Sequence, residues 1–191
     1  RLLGLRVVVT HHGPDYDRQK WGRFARWVLQ TGERFGMRGS NARIVISEVI
    51  RSLVRAKHGR ESTLIPNGVV LPALPDTTAA PSAFGLEPGK YVVLVSRLVP
   101  EKRHLDLIEA FRRAALPGWK LAIVGASDHP DAYVKQVLDT AAATPGVVCT
   151  GLQTGQALRE LYAHAGIFVL PSSHEGLPIA MLKALSYGLP V

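Results

Sequence analysis

The chain has 191 residues, 47% of them hydrophobic and 20% charged, ordinary proportions for a globular protein and enough for one sizeable core or two small ones. No apolar run approaches the roughly 20 residues a membrane-spanning helix needs, and the single cysteine, Cys149, excludes an internal disulfide framework and a multi-cysteine metal site. The net charge of +8 is uneven: residues 1–75 carry 13 Lys or Arg against 5 Asp or Glu, whereas residues 76–191 carry 10 of each, so two regions with different partners are expected and the first should meet something anionic.

The first residues, Arg1-Leu-Leu-Gly-Leu-Arg, do not read as a secretory signal, and a cytoplasmic location is expected. Leu5 to Thr10 reads as a buried parallel strand, from its dense valines. It ends in His11-His12-Gly13-Pro14-Asp15. A helix is predicted from about Asp17 to Met37, with Trp21, Phe24, Val28 and Phe35 near one face. Arg18, Lys20, Arg23, Arg26, Arg34 and Arg38 supply its charge. Two readings of this helix stand: its aromatic face lies in a core with the arginines solvated, or it is an interfacial helix in peripheral contact with the inner face of an anionic membrane. Gly22, Gly32 and Gly36 lower its intrinsic helicity, so packing must help hold it. A strand over Ala42 to Ile46, a helix over Ser47 to Lys57 with Ser47 as N-cap, and a strand over Ser62 to Pro66 follow. Asn67-Gly68 makes a turn. From 70 to 82 the composition shifts to Pro, Ala and Thr, which predicts a linker between a domain ending at residue 69 and one running over 83–191.

The second region alternates strand and helix. Strands are predicted over 91–95, 120–124, 147–149 and 167–170, and helices over 100–115, 131–143 and 156–165. A last helix is opened by Gly176-Leu177-Pro178 and stopped by Gly188 and Pro190, with Ile179, Leu182 and Leu185 on its apolar face. Short apolar strands separated by helices mean parallel βαβ units, an α/β fold with a Rossmann-type sheet whose ligands lie beyond the carboxyl ends of the strands.

Three of those strand ends carry suggestive chemistry. After Val95 comes Ser96-Arg97-Leu-Val-Pro-Glu101-Lys102, where a planar guanidinium fork and a point charge suit a diphosphate. After Val124 comes Gly125, a turn that admits close approach to the backbone. After Leu170 comes the loop with Glu175, just before a helix N-terminus able to support phosphate. Glu175 either faces sugar hydroxyls or merely caps the helix. The Gly-x-Gly-x-x-Gly fingerprint and the P-loop are both absent.

Ser96-Arg97 to Lys102, then Val124-Gly125, then His174-Glu175-Gly-Leu-Pro178 resemble, in order and spacing, the donor domain of the retaining GT-B glycosyltransferases of family 4, the group 1 transferases. Asn67-Gly68-Val69 resembles the segment where that family crosses between domains, and Thr10-His11-His12-Gly13 resembles a strand end of its acceptor domain. The resemblance implies a GT-B-like fold with both domains incomplete: residues 1–69 the end of the acceptor side, residues 83–191 a donor domain cut short. It implies transfer of a sugar from a nucleotide-diphosphate donor with retention, without metal or other cofactor, to a glycan or lipid-linked acceptor. By motif position Arg97 and Lys102 hold the diphosphate, with Ser96 and Gly125 beside them. Glu175 accepts hydrogen bonds from the donor sugar, and the N–H groups of the segment Gly176, Leu177, Pro178 and Ile179 support the phosphates. His12 approaches the reacting carbon from the acceptor side; the other reading of His12 is a structural strand-end histidine. The family places a second Glu eight residues after the first, facing the ribose, where this chain has Lys183. Lysine cannot accept from a ribose hydroxyl. The donor pocket is then modified, or activity is weakened or lost, or Lys183 points outward and another group takes its role. The chain is expected to be an internal piece of a longer protein or a truncated product, with little or no transferase activity by itself. A non-catalytic nucleotide-sugar-binding domain is the alternative, a nucleotide-sugar epimerase a lesser one. A nucleic-acid partner is not expected, for want of a recognised module.

Overall fold

The computed structural model of the chain describes residues 4–14, 16, 21–127 and 131–191. It divides into two compact units, residues 1–68 with 175–178, and residues 69–174 with 179–191. Within the segment expected as a linker, Ala79–Ala83 forms a short helix.

The first unit has a parallel three-stranded sheet in the order β1 (Val8–His11), β2 (Ala42–Val45), β3 (Thr63–Leu64). Helix α1 (Arg23–Gly39) joins β1 to β2, and α2 (Glu48–His58) joins β2 to β3. The helix start expected near Asp17 lies outside the described residues. Ser47 caps α2 as its sequence predicts, its hydroxyl accepting from the Ile50 amide at 3.4 Å, and Gly59, at φ 62°, ends it. The core is small: Met37, Val45, Ile46, Ile50 and Val54, with Val9, Leu64 and Leu177 against it.

In this unit one expectation fails, and so does one of the two readings of the basic helix. The β1 valines do not make a buried strand, since Val7 and Val8 are exposed and His11 is the buried residue of β1. The aromatic face of α1 is not in the core either: Phe24, Trp27 and Phe35 are 76%, 61% and 74% exposed, and Met37 is the helix's buried residue. The helix packs instead through Met37, through Gly36 against Val9, and through Glu33, which reaches α2. An inward face built partly on a carboxylate cannot also hold the aromatic stripe.

The second unit has a four-stranded, wholly parallel sheet in the order β6 (Val147–Gly151), β5 (Lys120–Val124), β4 (Tyr91–Val95), β7 (Ile167–Phe168). Alternation along β4 and β5 sends Tyr91, Val93, Ala122 and Val124 to one face and Val92, Leu94, Leu121 and Ile123 to the other. The first set packs with Leu161 and Tyr162 of α6 (Gly155–Ala163) and Ala184 of α7 (Ile179–Ser186). The second packs with Leu107 and Ile108 of α4 (His104–Ala114) and Val134 and Val137 of α5 (Ala132–Ala143). Both faces being covered is why the strands read as continuous apolar runs.

Local differences from the sequence reading have visible causes. The strand predicted over 167–170 is regular for two residues, although Val169 N still donates to Val93 O at 3.0 Å. The helix predicted from residue 100 is broken: a 3-10 turn, Pro100–Lys102, is followed by Arg103 at φ 53°, and α4 starts after it. The inward face of α7 is Ala180, Met181 and Ala184, with Tyr187 just past its end, whereas Ile179 and Leu185, expected inside, are half exposed. Gly188, at φ 74°, ends α7: its N–H meets Leu185 O at 2.9 Å and that of Leu189 meets Ala184 O at 3.1 Å. The short helix Ala79–Ala83, here α3, is held by buried Glu160 of α6, which accepts from the Thr77 hydroxyl at 2.5 Å and the Ala80 amide at 2.7 Å. Those bonds hold the Glu160 carboxyl below its ordinary range.

Candidate functional site

Parallel strands bring the carboxyl ends of β4, β5 and β7 to one edge of the second unit. At the end of β4 the chain stays tied to β5: Ser96 N donates to Val124 O and Leu98 N to Ala126 O, each at 3.0 Å. The left-handed backbone of Arg103 then turns the 3-10 segment into α4, so residues 96–102 wrap the helix start. Arg97 is exposed and pairs with no carboxylate among the described residues; Lys102 is half-buried. From the end of β7, Ser173 reaches the same loop, its amide donating to Glu101 O at 3.0 Å. His174 follows, with Nδ1 3.0 Å from the Ser173 hydroxyl.

Gly125 sits at φ 142°, and a Cβ there would lie 1.9 Å from Ser96 O. The close approach that glycine permits is therefore between two segments of this chain, and it seats Ser96 at the sheet edge. Behind Ser96 lies His104, fully buried, with Nε2 2.9 Å from the Ser96 hydroxyl. Burial, helped by the charge of Lys102, pushes the His104 imidazole down to about 4, so it is neutral at neutral pH.

In the first unit the two adjacent histidines part company. His11 is buried: its Nδ1 accepts from Gly13 N at 3.1 Å, and its Nε2 stands 3.4 Å from Glu33. Because Nδ1 accepts, the ring proton that faces the carboxylate is the one on Nε2. His12 is exposed. Glu33 also accepts from Lys57 at 2.8 Å and His58 at 2.7 Å, and Lys57 donates to the Tyr16 hydroxyl at 2.7 Å. Burial alone would raise the Glu33 carboxyl; the bonds from Lys57 and His58, with the charges of Lys57 and His11, outweigh it and hold it below the ordinary range.

Glu175, Gly176, Leu177 and Pro178 group with this unit. A Cβ on Gly176 would meet His12 O at 2.3 Å and the tips of Ile50 and Ile46 at 3.1 and 3.2 Å. The Asn67 amide donates to Leu177 O at 2.9 Å, and Leu177 packs on the core. Pro178 has no N–H, so Gly176, Leu177 and Ile179 are the donors of that stretch. Glu175 is exposed.

The structure thus gathers the sequence candidates in two sets: Ser96, Arg97, Lys102 and Gly125 in the second unit, His12 with Gly176 and Leu177 in the first. Ile179 and Lys183 lie on α7, where Lys183 is exposed and forms no ion pair among the described residues. Sequence reasoning missed three residues. Glu33 is the lone acid of α1, and that isolation in a basic helix is the signal that marks it. Asn67 carries only a turn signal, and His104 is unremarkable in an amphipathic helix.

Comparison with known proteins gives these motifs a family. The model for "Glycosyl transferases group 1" matches residues 89–191, more than half of the chain, and that for "Glycosyl transferase 4-like domain" matches residues 1–68. An exopolysaccharide phosphotransferase of Streptomyces coelicolor is 33% identical over 129 residues, 62% of this chain and 13% of that protein. The alpha-monoglucosyldiacylglycerol synthase of Acholeplasma laidlawii is 26% identical over 155 residues, 75% of this chain and 38% of that one. The chain therefore spans well under half the length of these relatives. Among solved structures, Alr3699/HepE of Anabaena, determined in complex with UDP and glucose, superposes with a TM-score of 0.81 at 20% identity, over 97% of this chain and 52% of its own. The architecture is that of GT-B glycosyltransferases, and the chain belongs to the group 1 glycosyltransferase family.

Proposed function

We propose that the protein carrying this chain transfers a sugar from a nucleotide-diphosphate donor, with retained anomeric configuration, to a glycan or lipid-linked acceptor. The observation that carries this reading is the loop after β4. Arg97 is exposed there without a carboxylate partner among the described residues, and Lys102 stands at the turn into α4. Charge that develops on a departing diphosphate is met by this pair, and a preformed cationic loop stabilises it without reorganising. Glu175 accepts from donor-sugar hydroxyls, and the amides of Gly176, Leu177 and Ile179 support phosphate oxygens. His12, exposed beside the buried His11, faces the reacting carbon. No metal or cofactor takes part in this reading.

The test is a transfer assay on the intact protein with UDP-, GDP- and ADP-sugars, with anomeric NMR of the product. Turnover with inversion removes the retaining mechanism, and absence of both transfer and donor hydrolysis removes the enzymatic reading. A second reading, a nucleotide-sugar-binding domain without turnover, draws on one observation: Lys183 stands where the family's ribose-facing acid is expected. Lys183→Glu in the intact protein separates the two. A gain of about tenfold or more in kcat/KM, the worth of a hydrogen bond in a site, supports weakened catalysis; an inert Lys183→Glu protein that still binds nucleotide supports the binding domain.

The exposed Phe24, Trp27 and Phe35 with Arg23, Arg26, Arg34 and Arg38 on α1 support peripheral contact with an anionic membrane, where a lipid-linked acceptor would reside. No helix is long and apolar enough, among the described residues, to cross a membrane. Co-sedimentation with vesicles containing anionic lipid, lost in a Phe24→Ala/Trp27→Ala double variant and weakened by salt, is the expected result; equal binding to neutral vesicles would overturn it.

A further inference from the structure

The three-residue chain behind the β4 loop has no part in the reading above. His104 is fully buried at the first turn of α4, and both of its ring nitrogens are engaged. Nε2 is 2.9 Å from the Ser96 hydroxyl, and Nδ1 is 3.2 Å from the Tyr133 hydroxyl of α5. The backbone amide of His104 also donates to that tyrosine oxygen, at 3.1 Å.

A hydroxyl has one proton and two lone pairs, and a neutral imidazole has one proton and one lone pair. Two proton arrangements satisfy the distances. In the first, the Tyr133 oxygen accepts the His104 amide and gives its own proton to Nδ1. His104 then carries its proton on Nε2 and donates it to Ser96 Oγ, and the Ser96 proton is left to donate outward. In the second, Ser96 gives its proton inward to Nε2 and presents a bare lone pair at the sheet edge, while the tyrosine oxygen receives two donors. Beside an anionic ligand the second arrangement is repulsive and the first attractive. The neutral ring is essential to either, because an imidazolium has no lone pair left to accept from Tyr133 in the first or from Ser96 in the second. Gly125 holds the backbone of Ser96 in place, so the hydroxyl proton is the free variable.

We propose that His104, fixed by Tyr133, is a positioning residue that turns the Ser96 hydroxyl proton outward, making Ser96 a hydrogen-bond donor to a phosphate of the nucleotide. This rests on the diphosphate reading of the β4 loop.

The test combines a double-mutant cycle with a spectroscopic readout on the intact protein. Affinities for UDP, GDP and ADP are measured for the wild type, Ser96→Ala, Tyr133→Phe and the double variant, with circular dichroism and thermal unfolding checking the fold. Ser96→Ala is expected to weaken the bound nucleotide about tenfold and Tyr133→Phe by several-fold. The double variant is expected to lose no more than Ser96→Ala alone, since Tyr133 acts through Ser96. A merely structural Tyr133 would add its loss to that of Ser96, and additive losses overturn the inference. Nitrogen-15 NMR of the imidazole should show the Nε2-protonated tautomer; an Nδ1-protonated ring overturns the inference whatever the affinities. Wild-type protein that binds none of the three nucleotides overturns the diphosphate reading itself, whereas binding left unchanged by Ser96→Ala overturns this inference and leaves that reading standing.

Discussion

Arg97 and Lys102 differ in how they can serve a diphosphate. Arg97 is exposed and offers a planar pair of donors, while Lys102, half-buried at the end of the 3-10 turn, offers a point charge. Removing either cation from a site that stabilises a leaving group costs mainly turnover. Arg97→Ala and Lys102→Ala are each expected to lower kcat of the intact protein about 100-fold, with fold and melting temperature little changed; loss confined to KM would mean that the cations bind substrate and transition state alike. Gly125 presents the opposite case, a residue at the site whose identity is set by packing. A methyl group placed 1.9 Å from Ser96 O cannot be accommodated without moving the backbone of one strand end. Gly125→Ala is expected to destabilise by about 3 kcal/mol, read from the urea midpoint, and to weaken nucleotide binding as Ser96 shifts. Unchanged stability would mean that the strand ends yield more easily than their hydrogen bonds imply.

At the scale of elements, α1 and α2 are joined by one carboxylate. Glu33, 10% exposed at its side chain, accepts from Lys57 and His58 and faces His11. Its folded-state carboxyl is held below the ordinary value. A depressed acid contributes stability that is present above its unfolded-state value and is lost as pH falls through the folded one. Stability of the first unit is therefore expected to decline below about pH 4.5, and Glu33→Gln should flatten that decline. Glu33→Ala, which strands buried donors, is expected to cost about 3 kcal/mol at pH 7. Chemical denaturation across pH, followed by Trp21 and Trp27 fluorescence, measures both; an acid limb as steep in Glu33→Gln as in the wild type would remove Glu33 as its cause. This pairing also shows what could be read from the chain. The strands of the second unit were legible because both faces of that sheet are covered, so Val92 and Val93 are buried alike and the apolar run is continuous. The inward face of α1 was not, because it is made of Glu33, Gly36 and Met37, and an apolar-periodicity reading follows Phe24, Val28 and Phe35 to the solvent side. Arg97, Lys102 and Gly125 were legible as motif residues at strand ends. His104 and Asn67 were not, since what they do depends on Tyr133 and Leu177, partners 29 and 110 residues away.

At the scale of the whole chain, the two units differ in how much they bury. Among the described residues, the first rests on a core of five buried residues beside a three-stranded sheet with an exposed β1. The second has, among its described residues, two core layers of eleven and ten buried residues, one on each face of a four-stranded sheet. Local opening costs least where few apolar contacts must be broken, and amide protection follows that cost. The slowest hydrogen exchange is therefore expected at Val92 to Val95 and Leu121 to Val124, in the central strands β4 and β5, and distinctly faster exchange in β1 and the first turns of α1. Within the second unit, β7 should exchange faster than β4, since two regular residues and the Val169 bond hold it. Mass-spectrometric exchange on the intact protein reads all three segments at once. Protection of β1 equal to that of β4 would show that the first unit draws stability from contacts beyond its own small core. Addition of UDP is expected to slow exchange selectively in residues 96–104, the segment carrying Ser96, Arg97, Lys102 and His104. Slowing spread evenly over the second unit would instead place the nucleotide's effect on global stability and take from that loop its proposed role as the phosphate contact.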